Sequence, residues 1–141
     1  MRYMIIVRAT PMSEAGIIPD DPQLMAGMAS YHEELAKAGV LLDGSGLHPS
    51  SRGWRIRWGG SSKPQVIDGP FAETKELIAG YTVIQVRSPD EAMEWSRRFP
   101  RPFPAGVDCE IEVRRLYELE EFGSDPALDR MREIGLSHSK R

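Results

Sequence analysis

Apolar and polar positions along this chain fall into two periods, one near two residues and one near 3.6. Arg2-Tyr3-Met4-Ile5-Ile6-Val7-Arg8 is a short, β-branched run bounded by Thr10-Pro11, which predicts a first strand. Residues 11–20 read as a loop. Asp21-Pro22 then supplies an N-cap with proline at the first helical position. Leu24, Met28, Tyr31 and Leu35 recur at spacings of 4, 3 and 4, the apolar face of a helix ending near Lys37-Ala38, and Gly39 is placed to cap it. Val40-Leu41-Leu42 opens a second strand that leads into a loop, Gly44-Ser45-Gly46-Leu47-His48-Pro49.

Trp54-Arg55-Ile56-Arg57-Trp58 alternates apolar and basic, so one face carries three large apolar groups and the other two arginines. Gly59 to Pro64 turns the chain and Gln65-Val66-Ile67 returns it, completing a hairpin. A polar corner, Asp68-Gly69-Pro70-Phe71-Ala72-Glu73-Thr74-Lys75-Glu76, leads into a strand over 78–87. Ser88-Pro89-Asp90-Glu91 reads as an N-cap, an N1 proline and a capping-box glutamate. The helix it starts presents Ala92, Trp95 and Phe99 and stops at Pro100, and residues 110–114 alternate as a final strand.

The order β-α-β, hairpin, β-α-β predicts an α+β domain over residues 1–122: a ferredoxin-like βαββαβ sheet with an inserted hairpin. Two helices cover one face of such a sheet. Its central strands carry apolar residues on both faces (Met4 and Ile6 as well as Tyr3 and Ile5), so a second copy of the sheet is the economical cover, which predicts a homodimer. Residues 123–141 read as a C-terminal extension, a short helix from Asp125-Pro126 followed by a disordered end.

Composition narrows the partners. A chain of 141 residues with 40% hydrophobic and 28% charged residues suits one soluble domain. Its net charge of −3 and pI of about 5.6 point away from nucleic acid and anionic membranes. No stretch approaches the roughly 18 apolar residues of a membrane-crossing helix, no leader-like segment opens the chain, and a single cysteine fits a reducing compartment. The expectation is a cytoplasmic protein.

The corner holds most of the candidate chemistry. Asp68 reads either as a general acid or base on a fixed loop or as an Asx-type turn residue, and the two roles are compatible. Glu73, Lys75 and Glu76 are candidate contacts for a polar ligand, with Lys75 the anchor for an anion, or else a solvated ion-pair loop. His48, in the glycine-rich loop, is the histidine best placed for proton transfer. His32 lies one position off the apolar stripe and reads as a surface residue, and His138 sits in the tail. Arg55 and Arg57 form either an anion ladder or the wet side of a sheet, while Phe71, Tyr81 and Tyr31 read as pocket wall or core, Tyr81 with a proton to give. The expected pocket lies between sheet and helices, near Asp68 and the loop of His48. Three scattered histidines and one cysteine give no metal-ligand spacing, and no cofactor fingerprint is present.

The run DGPFAETKE followed by Gly80-Tyr81 resembles the signature of the DGPF branch of the YCII-related family. The start at Met1 to Ile6, Ala38-Gly39 with Gly44-Ser45-Gly46-Leu47, and Glu112-Val113-Arg114 agree with it, so the resemblance covers roughly residues 1–122. It implies a dimeric α+β barrel and cofactor-independent proton-transfer chemistry, isomerisation or elimination, on a small polar or aromatic compound. It also implies an alternative, a binding or regulatory module linked to sigma-factor signalling. Some relatives use a His–Asp pair with the histidine on the first helix; the matching position here is Met28, where this chain departs from that pattern.

Overall fold

The computed structural model of the chain describes residues 1–61 and 63–137. His138 and the expected disordered end lie, from residue 138 on, outside the described residues. Six strands form: β1 (Arg2–Arg8), β2 (Leu41–Gly46), β3 (Trp54–Arg57), β4 (Gln65–Asp68), β5 (Ile78–Gln85) and β6 (Ile111–Arg115). Helices α1 (Pro11–Glu14), α2 (Pro22–Lys37), α3 (Pro89–Arg97) and α4 (Pro126–Glu133) accompany them.

The main sheet is antiparallel with strand order β2-β5-β1-β6, and β3 and β4 form a separate hairpin. This is the ferredoxin-like βαββαβ arrangement with an inserted hairpin. Ile5 stands opposite Thr82 on one side and Val113 on the other, so period-two alternation along three strands brings these residues to the same face. That face packs on α2 and α3: Ile5, Tyr31, Leu35, Val40, Ile84, Val86, Ala92 and Trp95 form the core, with Leu35, Ile5 and Ile84 fully buried.

Caps follow the expected residues. Asp21 accepts from the amides of Gln23 and Leu24, Ser88 accepts from Glu91, and Asp125 caps α4 through Ala127. Two segments differ from expectation. The stretch 11–20 begins with a turn of helix, because Thr10 and Ser13 cap each other reciprocally and Pro11 suits the first position. Strand β2 runs through Gly44-Ser45-Gly46 instead of ending before it, since pairing with Gly80 to Thr82 satisfies its backbone past an irregularity at Leu41/Asp43.

The chain after β6 turns back on the sheet. Arg2, 6% exposed although charged, donates to both carboxylate oxygens of Glu118 (3.0 and 3.2 Å) and to the Tyr117 carbonyl, and Leu119 is buried there. Among the described residues, no helix is long and apolar enough to cross a membrane.

Candidate functional site

The signature corner is fixed by backbone contacts. Gly69 donates to the Gly53 carbonyl (3.0 Å), and its α-carbon lies so close to the neighbouring turn that a Cβ would stand 1.8 Å from the Ser50 oxygen. Only glycine allows that approach. The Phe71 amide donates to Ser50 Oγ (3.0 Å), the Ser50 amide donates to Glu14 Oε2 (2.9 Å), and the Ser50 hydroxyl donates to the other Glu14 oxygen. Glu14 of α1, the turn at Ser50 and the Gly69–Phe71 corner are thus one knot. Arg55 from the hairpin stacks 3.7 Å above the Phe71 ring.

What this knot holds in place is the connection from β2 to β3, residues 47–53. That connection forms one wall of an open cavity of about 1270 Å³. Leu24, Met25 and Met28 of α2 form a second wall, β2 with the Ala79–Thr82 part of β5 a third, and Phe99 with Phe103 a fourth. The apolar stripe of α2 therefore divides. Tyr31 and Leu35 enter the core, while Leu24 and Met28, on the turns nearer the N-terminus, overhang β2 and line the cavity.

Among the expected site residues, His48 and Tyr81 line this cavity. Asp68, Phe71, Glu73, Lys75 and Arg57 are absent from its lining. The expected pocket thus keeps the His48 loop as a wall but not Asp68, because the corner braces the loop from behind. Asp68 is exposed opposite Trp54, and its carboxylate makes no hydrogen bond or ion pair among the described residues. Phe71 is half-buried beneath Arg55; Glu73 and Lys75 are exposed on the surface of the corner, and the Lys75 carbonyl accepts from Arg8. Arg57 is exposed at the end of β3. Tyr31 is core: its hydroxyl donates to the Trp95 carbonyl (2.7 Å), and burial pushes its phenol up to about 12.

Two features depart from expectation. His32 is half-buried with both ring nitrogens engaged, Nδ1 at 2.8 Å from the Met28 carbonyl and Nε2 at 2.8 Å from Thr82 Oγ1. Its reading as a surface residue is corrected: one helical position off the stripe points it over β5, where Thr82 stands. Helical periodicity alone does not show what lies across from a helix, and Thr82 is 50 residues away. Second, the Tyr81 hydroxyl donates to Asp43 Oδ2 (3.3 Å), and the nearby Asp43 carboxylate raises the phenol above its ordinary value. The single Tyr81 hydroxyl proton is thereby committed to Asp43, which leaves the phenol oxygen to accept. Asp43, on β2, also lines the cavity.

The cavity thus combines apolar walls with a few convergent groups able to donate or accept protons: His32, Thr82, Asp43, Tyr81 and His48. Among the described residues, no group of three or more His, Cys, Asp or Glu side chains is arranged to hold a metal ion.

The model of the YCII-related domain matches residues 1–117. The chain belongs to the YCII-related family. An uncharacterised protein of Rhizobium meliloti (strain 1021) is 30% identical to it over 105 residues, which are 74% of this chain and 84% of that one. This YCII-related chain is also similar to a solved structure, 5-chloro-2-hydroxyhydroquinone dehydrochlorinase from Burkholderia phenoliruptrix AC1100 in complex with 2,5-dihydroxybenzoquinone. The identity is 17% with a TM-score of 0.45, over 84% of this chain and 95% of the other.

Proposed function

We propose that this YCII-related protein binds a small polar or aromatic compound in the cavity and transfers protons to or from it without a cofactor. The observation that carries the reading is the composition of the cavity wall. Leu24, Met25, Met28, Phe99 and Phe103 offer an aromatic or aliphatic body its contact area, while His48, Tyr81 and Asp43 converge on the same space. Tyr81, whose hydroxyl proton is held by Asp43, presents its oxygen as an acceptor for a ligand hydroxyl. The first anchor we assign is His48, exposed on the braced loop, where it can follow the ligand at the mouth.

Thermal stabilisation by a panel of small carboxylates, phenols and lactones tests this. A ligand at a hundred times its dissociation constant adds about 2.7 kcal/mol. A hit weakened in Met28→Trp, which adds bulk to one cavity wall, and kept in Glu73→Gln, which lies outside it, is the expected outcome. Stabilisation as large in Met28→Trp as in the wild type would place the ligand elsewhere and end the reading.

We further propose that two copies pair. The hairpin exposes Trp54 (65%), Trp58 (70%) and Val66 (67%), and contiguous exposed apolar side chains of this size mark interaction surfaces. Sedimentation at micromolar concentration decides this, since a clean monomer would overturn it. The free Cys109 supports a reducing, cytoplasmic setting, and residues 123–141 are taken as an extension to the 1–122 domain.

A further inference from the structure

The proton-transfer reading leaves open which group takes the proton, and the pair formed by His32 and Thr82 answers it. A peptide carbonyl only accepts hydrogen bonds, so the 2.8 Å contact from His32 Nδ1 to the Met28 oxygen requires a proton on Nδ1. In the neutral ring the lone pair then sits on Nε2, aimed at Thr82 Oγ1 2.8 Å away, and the threonine hydroxyl must donate to it. Thr82 is 3% exposed, and both residues line the cavity. No other side chain is bonded to Thr82 among the described residues, so its oxygen keeps lone pairs for a ligand. A Cβ on Gly44 would stand 3.7 Å from both Nε2 and Oγ1, so the glycine leaves the pair uncovered on the β2 side. A carbonyl orients an imidazole, the imidazole polarises a hydroxyl, and the hydroxyl borders a cavity able to hold a small molecule.

We propose that Thr82 and His32 form a two-step proton acceptor for a weakly acidic ligand, a phenol or an enolisable carbonyl compound. The proposal rests on the reading of the cavity given above and deepens it. The ligand's X–H bond breaks and its proton forms a new O–H bond on Thr82, while the original Thr82 proton moves to His32 Nε2. The products are the ligand anion, an intact threonine hydroxyl and an imidazolium whose Nδ1–H still binds the Met28 carbonyl. No oxidant, reductant or further reactant is required. The other titratable or charged groups bordering the cavity are Asp43 from β2, Tyr81 from β5, and His48 and Arg52 from the connection; α2 contributes none besides His32. Arg52, a cation on the cavity wall, suits the anion that results, while the Asp43 carboxylate, to which Tyr81 donates, opposes it.

The probe is 4-nitrophenol, whose absorbance separates phenol from phenolate, mixed with the full chain at a pH where the free probe is protonated. In wild type and Thr82→Ser the bound probe is expected as phenolate; in His32→Gln and Thr82→Val that signature is lost. A phenolate signature that persists in His32→Gln or Thr82→Val overturns the proposal. Gly44→Ala, which covers the pair without touching its bond, is expected to weaken probe binding several-fold. Nitrogen NMR of the histidine rings tests the pair without any ligand, with the His32 signals identified by their absence in His32→Gln. A neutral Nδ1–H tautomer whose Nε2 signal moves in Thr82→Val supports the pair, and an Nε2–H tautomer overturns it. Failure of the wild type to bind any phenol would count against the cavity reading, while the tautomer would still decide the pair.

Discussion

The corner at Asp68–Glu76 and the cavity beside it divide two jobs between them. The corner concentrates special residues in one stretch of chain, and its glycine and aromatic are accounted for by packing and backbone contacts, while Asp68, Glu73, Lys75 and Glu76 are exposed. Gly69 permits an approach that a Cβ would block, the Phe71 amide holds Ser50, and the Phe71 ring seats Arg55. The cavity collects its chemistry one residue at a time: His32 from α2, Asp43 from β2, His48 from a loop, Tyr81 and Thr82 from β5. Dense motifs of turn residues report demanding backbone geometry. Proton-handling groups need only converge in space, and the topology of the sheet achieves that. The two regions connect at Ser50, through which the corner sets the position of the loop that bears His48.

Breaking the corner should therefore reach the cavity. In Gly69→Ala the new carbon would lie 1.8 Å from the Ser50 oxygen and 2.6 Å from its carbonyl carbon. Neither is the flexible end of a side chain, so the turn itself must move. We expect a loss of about 3 kcal/mol or more in urea unfolding, with amide shifts spreading through residues 47–53 to the cavity wall. A variant of near-normal stability with that wall unperturbed would dissolve the link between the regions.

The second comparison runs along one helix. Leu35 is fully buried among Ile5, Tyr31 and Ile84, so Leu35→Ala should cost about 3 kcal/mol. Met28 continues the same sequence stripe but lines the cavity, and truncation there enlarges space that already exists. Met28→Ala should cost about 1 kcal/mol or less in the same assay while changing ligand affinity. Equal costs would mean that the cavity closes over Met28 in solution.

These differences show how far local patterns reach. The strands, the proline-started helices with their Asp21 and Ser88 caps, and the inserted hairpin are legible in the sequence because their causes are local. Strand β2 outlasts its expected end because its glycines find partners on β5, a relation no local pattern encodes. The cavity is half-visible. His48 and Tyr81 stand out as candidates, but His32 reads as a surface residue because its partner is on another element. Asp68 draws attention for the opposite reason: its neighbours Gly69, Pro70 and Phe71 are constrained, and the motif reads as a whole.

Asp68 therefore offers the gentlest and most discriminating test. Its carboxylate faces water opposite Trp54, bonds no neighbour among the described residues, and stands apart from the cavity lining. Asp68→Asn removes the charge with almost no change in shape. Away from packing and bonded networks, surface substitutions stay within about 0.5 kcal/mol, and that is the expected change in unfolding free energy. Phenol binding, read by the same stabilisation assay as for wild type, should be unchanged. A ligand whose affinity falls markedly in Asp68→Asn would return the corner to the site, because only direct contact or a rearranged loop could transmit the loss of so exposed a charge. Unchanged binding, beside a clear loss in His32→Gln, would leave the corner as the brace and the cavity as the place where chemistry is done.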